Sequence, residues 1–513
     1  MCVNRRRRGS AGLVVALCGA ALSSPVLGQA PGDVLWVTSV EGDAYACPTV
    51  GSDGCIYYAT HMFGGVLYKV RASDGAIIQQ RDLPGAVEHS VALDENGTLY
   101  LNTLVGPLAN GGTPEAVAAA YRADDFSELW RTPIAMPGAD TSPIVGSNGR
   151  IYLGVVVNPQ NADNVANCVA GTSCGRYYSF DAATGEVRID LPTEGWEATP
   201  GVIDEQGRVF FGGEDLTGGV EGANHIWPGA FHAIYGDDPV PPETEPEFVW
   251  PTYYTSGEFG SPVSYLDGVV YTTCRDGYLY GFDADTGDVV LQRDLGAPSW
   301  TGCTIGMHPD TGALVLYTGT QNIDIGRGGQ SRLYAIELDG SFEGNLLWWR
   351  AVPGGMAFGN PALDDLGNIY YVTSIAALQV VDANGQLLWA YNLPGGELGG
   401  IGGPTITNDG KVIVAANGGA LYAFRASGNH LADDAPWPKY KHDLRNTSNV
   451  LTPVRERTIG DTDDDGHVTL ADLSELLVHY GTPASMTFDQ GDFDGDGDVD
   501  VVDLSALLTN FGI

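Results

Sequence analysis

"SPVSYLDGVVYTT" (261–273), followed by "LYGFDADTG" (279–287), is the stretch whose reading decides the fold. Alternating apolar residues flank Asp267-Gly268, the strongest short-range signal for a β-hairpin. Gly287 then offers the positive φ that a following hairpin needs. The same unit recurs in both directions. Upstream stand "SPIVGSNGRIYLG" (142–154) with "YYSFDAATG" (177–185), and "TPGVIDEQGRVFFG" (199–212). Downstream stand "NPALDDLGNIYYV" (360–372) and "GPTITNDGKVIVA" (403–415), with third strands at "LYAIELDG" (333–340) and "LYAFRASG" (421–428). A fourth strand often carries a tryptophan, as at Trp130, Trp250, Trp348 and Trp389.

A four-stranded unit repeating every about 42–60 residues is a propeller or solenoid pattern, and its strand content is that of one propeller blade. First strands begin near Cys47, His89, Thr141, Ala198, Gly260, Cys303, Gly359 and Gly402, which makes eight blades. "DVLWVTSV" (33–40) precedes the first full repeat, and the last repeat lacks a fourth strand after Gly428. The N-terminal strand is therefore expected to complete the last blade, closing the ring without an unpaired edge.

Composition agrees with short strands and tight turns: of 513 residues 71 are Gly, 43% are hydrophobic and 10% aromatic. With 64 acidic against 25 basic side chains the net charge is −39, which disfavours phosphate backbones and anionic lipid as partners. Residues 1–30 read as an export signal, with arginines at 5–8 and an apolar stretch over 11–22 that is far too short to span a bilayer. No other segment could span one, and the export signal makes the expected destination extracellular or cell-surface, with the periplasm as the alternative. An even set of cysteines in an exported chain favours disulfides. Spacing suggests Cys47–Cys55 and Cys168–Cys174, leaving Cys274–Cys303.

The repeat resembles the PQQ-like, quinoprotein-type β-propeller repeat over roughly residues 33–450, and "WPKYKHDLRNTSN" (437–449) is similar to a segment found at the end of such propellers. That resemblance speaks for fold more than chemistry. Four second-to-third-strand loops are enlarged, 105–117, 157–176, 212–229 and 320–331, all on one expected face. The starts of the first strands converge on the channel mouth of that face. They carry Glu88, His89, Asp140, Trp196, Glu197, Glu258, Phe259, Trp300 and Met356, a candidate site for a cation, a sugar or a planar cofactor. Catalytic members of the family are implied to hold PQQ with Ca²⁺, a base carboxylate and often a ring of two adjacent cysteines. This chain has no Cys-Cys pair, and His89, His225, His232 and His308 are isolated. A non-catalytic binding platform is the preferred reading; a PQQ-dependent dehydrogenase, or a component of polysaccharide degradation, is the alternative.

Residues 460–513 change character, holding twelve Asp, one Glu and no Lys or Arg. "DTDDDGHVTLAD" places Asp461, Asp463, Asp465, His467, Thr469 and Asp472 at loop positions 1, 3, 5, 7, 9 and 12 with Gly466 at 6. "DFDGDGDVDVVD" repeats the pattern with Asp492, Asp494, Asp496, Asp498, Asp500 and Asp503 around Gly497. Oxygens at those positions and a glycine for the sharp turn suit one Ca²⁺ per loop, position 7 acting through its backbone carbonyl. Each loop leads into a helical pattern. Leu470, Leu473, Leu476, Leu477 and Tyr480 recur as Val501, Leu504, Leu507, Leu508 and Phe511, all expected on one face. This duplicated loop-plus-helix resembles a type I dockerin, which implies a cohesin-like or other surface protein as partner. The apolar pairs Leu470-Ala471 and Val501-Val502 stand where that resemblance places partner choice. The expected organisation is an export signal (1–30), an eight-bladed β-propeller of four-stranded antiparallel blades (31–451), a linker (452–459) and a small α-helical calcium module (460–513). The basic residues Lys439, Lys441, Arg445, Arg455 and Arg457 are expected to offset the charge of that module.

Overall fold

The computed structural model describes residues 30–512 other than 44–45, 62–63, 107, 109, 136–140, 156–174, 194, 196–198, 216–226, 240–244, 322–329, 357–358, 395–402, 417, 464–467, 483–485 and 494–496. Among the described residues, eight antiparallel sheets of four strands follow one another along the chain. The strand Val34–Ser39 pairs with Ala420–Arg425, so the N-terminal strand completes the eighth blade.

Each blade grades from axis to rim. In blade 1 the second strand, Cys55–Ala59, is buried throughout, whereas the fourth, Ile77–Asp82, alternates between exposed and half-buried residues. An interior strand covered on both faces needs a continuous apolar run, and a rim strand does not. Adjacent blades are then riveted by tryptophan. The Trp130 indole N–H donates to Ala182 O in the next blade (2.8 Å), Trp348 to Ala383 O (2.8 Å) and Trp36 to Ala72 O across the ring closure (2.9 Å). The glycine that ends each contacted turn lies against the ring, and a Cβ on Gly185 would stand 2.5 Å from Trp130.

Residues 431–456 are the feature that no repeat announces. They circle inside the ring and accept backbone hydrogen bonds from the innermost strands of six blades. Ile305 N donates to Trp437 O (2.8 Å), Leu363 N to Pro438 O (2.9 Å), Val50 N to Leu444 O (2.8 Å) and Leu93 N to Arg445 O (3.0 Å). Val145 N donates to Thr447 O (2.9 Å) and Ile203 N to Ser448 O (3.0 Å). Inner strands of two to four residues cannot satisfy their own axial edge, so the segment satisfies it for them. Following that curve puts four non-glycine residues, Lys441, His442, Asn446 and Ser448, at positive φ. The packed propeller extends to Glu456: Val454 joins a core cluster, Leu444 N donates to Val454 O (2.9 Å), and Asn408 Nδ2 donates to Glu456 O (2.8 Å).

The basic residues therefore divide. Lys439 and Lys441 are buried within the propeller and do not face the acidic module. Lys439 Nζ donates to Tyr440 O (2.8 Å), to Asp443 O (2.9 Å) and to Asn446 Oδ1, and Lys441 Nζ donates to Pro143 O. Arg457 does reach the C-terminal residues, pairing with Asp489 at 2.5 Å and stacking on Phe488.

The disulfide expectation is corrected. Cys47, Cys55, Cys274 and Cys303 are separate buried thiols, and Cys168 and Cys174 lie outside the described residues. The hairpin pairs Val50 with Ile56, which sets Cys55 across from Gly51 and leaves Cys47 at the open end. That separation is about 13 Å at strand rise, well beyond disulfide reach. Cys274 Sγ lies 3.0 Å from Gly257 O, while the thiol of Cys303 is engaged with Thr318.

Candidate functional site

The described mouth residues are spread over separate blades. Glu88 and His89 precede the inner strand of blade 2, whereas Glu258 and Trp300 precede those of blades 5 and 6, across the ring. Glu88 lies 3.6 Å from His61 Nε2. His89 is buried beside Tyr440 of the axial segment, and burial pushes its imidazole pKa down to about 4. Glu258 is buried and ion-paired with Arg275, whose guanidinium lies 4.3 Å over the Trp300 ring. Burial raises the Glu258 carboxyl pKa, and Arg275 opposes that rise. Phe259 and Met356 belong to the packed core. Asp140, Trp196, Glu197 and His225 lie outside the described residues. His232 packs tilted against Phe211 (ring centroids 5.0 Å apart) as an interior ring of blade 4.

Two clefts instead open on the opposite face, where residues 445–456 cross the strand-one-to-two turns. The larger, about 620 Å³, lies between blades 2 and 3, and the smaller, about 280 Å³, between blades 1 and 2. Sequence reasoning missed them because their walls are ordinary hairpin turns of the repeat, such as residues 146–149, which carry no binding signature of their own. The available signal was a basic, Asn- and Thr-rich segment after the last repeat.

In the C-terminal residues, two ten-residue helices follow the acidic loops, α1 over Leu470–His479 and α2 over Val501–Asn510. Each starts in a capping box that ties helix to loop. Asp472 accepts from Thr469 N (2.7 Å) through Oδ2 and from Thr462 N (2.7 Å) through Oδ1. Asp503 does the same for Asp500 N (2.8 Å) and Phe493 N (2.7 Å). Carboxylate oxygens of Asp461, Asp463 and Asp472 lie within 4.8 Å of one another, as do those of Asp498, Asp500 and Asp503. Bonds of 2.3–2.6 Å to one cation fit that spread. Asp492 is buried at the head of the second loop, where its Oδ2 accepts from Gly497 N (3.0 Å). Thr469 caps α1 through its hydroxyl, which accepts from Ala471 N. Asp465, His467, Asp494 and Asp496 lie outside the described residues.

The apolar helix face expected here is buried only in part. Only Leu476 and Leu507 are fully buried, with Val468 and Val499, while Leu473 and Leu504 pack at the edge. Leu470, Leu477, Val501 and Leu508 are each more than half exposed, and Tyr480 and Phe511 are also exposed. Two short helices meeting over four core residues bury one narrow stripe and leave the rest of the apolar arc in solvent.

Comparison with known proteins locates the fold. Residues 275–461 match a family model described as the outer membrane protein assembly factor BamB. BamB from Moraxella catarrhalis superposes with a TM-score of 0.51 at 14% identity, over 75% of this chain and 98% of that one. The quinohemoprotein alcohol dehydrogenase from Comamonas testosteroni superposes with a TM-score of 0.51 at 13% identity, over 77% of each chain. A europium-containing methanol dehydrogenase gives 0.53 at 14% identity, over 77% and 93%. At these identities the likeness is one of fold. No curated protein matches the sequence.

Proposed function

We propose that this chain is an exported, non-catalytic recognition protein. Its propeller is the binding platform, and residues 460–513 are a calcium-folded, dockerin-like module that docks to a cohesin-like or other surface protein. The observation that carries the reading is a pairing that occurs twice, of buried loop carboxylates with an exposed apolar helix surface. Asp461, Asp472, Asp492 and Asp503 are all buried, and the carboxylate oxygens of Asp461, Asp463 and Asp472, like those of Asp498, Asp500 and Asp503, lie within 4.8 Å of one another, a crowding of like charge that a cation relieves. In the first loop Asp461, Asp463, Asp465, Asp472, the His467 carbonyl and, through water, Thr469 would hold it. In the second, Asp492, Asp494, Asp496, Asp503, the Asp498 carbonyl and Asp500 would do so. Calcium would supply the charge balance that lets each loop close on its helix, and binding only the ordered state stabilises that state. Leu470 and Leu477, with Val501 and Leu508 as counterparts 31 residues on, then form the partner surface. Export is supported by the leader-like residues 1–30, and the outer-membrane name of the matched family points the same way.

Calcium titration of the mature protein by calorimetry tests this. Two ions per chain are expected, with a gain in far-ultraviolet helicity that Asp461→Ala with Asp492→Ala removes. No calcium heat, or helicity indifferent to chelator and to both substitutions, would overturn the loop assignment.

The fold likeness to quinoprotein dehydrogenases supports a second reading, a PQQ-dependent dehydrogenase. The described mouth residues do not fit a quinone: Glu258 is neutralised in place, Arg275 covers the Trp300 face, and no adjacent cysteines exist in the chain. Reconstitution with PQQ and Ca²⁺, gel filtration and a dye-reduction assay separate the two readings. Retained quinone with turnover would replace the non-catalytic one.

A further inference from the structure

We infer that the propeller's ligand site is the pair of adjoining clefts on the face crossed by residues 445–456, and that it takes a neutral oligosaccharide. This rests on the recognition-platform reading and moves the site from the enlarged-loop face to the opposite one. The two clefts share Arg122, Arg445 and the turn 94–98, so they form one trough across blades 1 to 3 in which successive units of a chain can lie.

The walls are ordered before any ligand arrives. Asp94 accepts from Asn96 N (2.9 Å), Thr98 N (2.7 Å) and the Tyr100 hydroxyl (3.1 Å), which fixes the shared turn. Asn449 Nδ2 donates to Val145 O (3.0 Å), and its Oδ1 accepts from Leu451 N (3.0 Å), which fixes the floor. Arg445 is held by Glu456 at 3.2 Å. A ligand that meets preset groups loses little affinity to ordering them.

The chemistry of the lining selects the class. Exposed Glu95, Asn96 and Arg122 offer planar donors and acceptors that suit vicinal hydroxyls, and Ser147 adds a hydroxyl. Exposed Leu129 and Leu451 give apolar surface for the C–H faces of sugar rings. Acids outnumber bases along the trough, with Asp53, Asp94, Glu95, Asp124 and Glu456 against Lys69, Arg122 and Arg445, in a chain of net charge −39. That field repels polyanions. Turns 94–98 and 146–149 form much of the rim, and the edge strands contribute only Leu129 and Val145.

The test is calorimetry of the mature full chain, calcium present, with cellohexaose, xylohexaose and mannohexaose, and hexagalacturonate as the anionic control. At least one neutral hexasaccharide should bind. Asn96→Ala with Arg122→Ala should weaken it roughly tenfold or more without lowering the melting temperature, the effect expected on losing hydrogen bonds to a charged group. Ile375→Ser, on the opposite face, should leave it unchanged. Three results overturn the inference: no neutral hexasaccharide binding, binding indifferent to the cleft pair, or a preference for hexagalacturonate. Calcium-dependent folding of the C-terminal module, measured on the same sample, shows whether the docking half of the functional reading survives such a failure.

Discussion

Gly185 and Gly207 offer a controlled test of the tryptophan rivets. Both sit in the left-handed region, at φ +71° and +77°, so alanine at either costs about 1–2 kcal/mol for the backbone alone. They differ in surroundings. A Cβ on Gly207 meets nothing within 4 Å, whereas on Gly185 it would stand 2.5 and 2.6 Å from Trp130 ring atoms and 2.9 Å from Thr132 Oγ1. Relieving that overlap means moving the indole, with an overpacking cost of about 1–3 kcal/mol. It also strains the Trp130 N–H bond to Ala182 O, worth about 1 kcal/mol. Gly185→Ala should therefore cost about 3–6 kcal/mol and Gly207→Ala about 1–2 kcal/mol. Urea unfolding followed by tryptophan fluorescence measures both. Adding Trp130→Leu should remove most of the excess of the Gly185 penalty over that of Gly207, the signature of a direct coupling, with the Thr132 contact left. Equal costs for the two alanines in the wild-type background would refute the rivet argument.

Other outcomes follow from the same structure. His89 is buried neutral with its pKa near 4 in the fold against about 6.5 when unfolded, so the unfolded chain binds the extra proton between those values. Stability should fall as pH drops from about 6.5 to 4, by roughly 3 kcal/mol from this group, and His89→Gln should flatten that slope in urea midpoints taken across the window. Under non-reducing denaturation Cys47, Cys55, Cys274 and Cys303 should all react with a thiol reagent; four unreactive sulfurs there would restore the disulfides. A chain ending at 456 should melt as the propeller of the full protein does. One ending at 451 loses Val454 and the Arg455–Asp433 pair (2.8 Å) and should melt earlier, so identical melting would show that 452–456 add nothing to the propeller.

What could be read from residues alone was whatever is encoded locally and repeated. Hairpin turns such as Asp267-Gly268, the alternation around them and the missing last strand are short-range facts, and ring closure by residues 33–40 follows from counting them. The Asp spacing around Gly466 and Gly497 is legible for the same reason, since all its members lie within twelve residues. Pairings between distant segments were not legible. Composition and export suggested disulfides, but strand register sets Cys47 and Cys55 at opposite ends of a hairpin. Mouth acids and aromatics looked available, yet Glu258 meets Arg275 only because a turn of the next strand pair brings it there. Helix periodicity put five apolar residues on one face, but the small contact between two ten-residue helices decided which of them stay wet. Above all, nothing local marks 437–449 as the inner girdle of the ring. Its register is set by unpaired edges on six separate blades, which exist together only after the ring has closed.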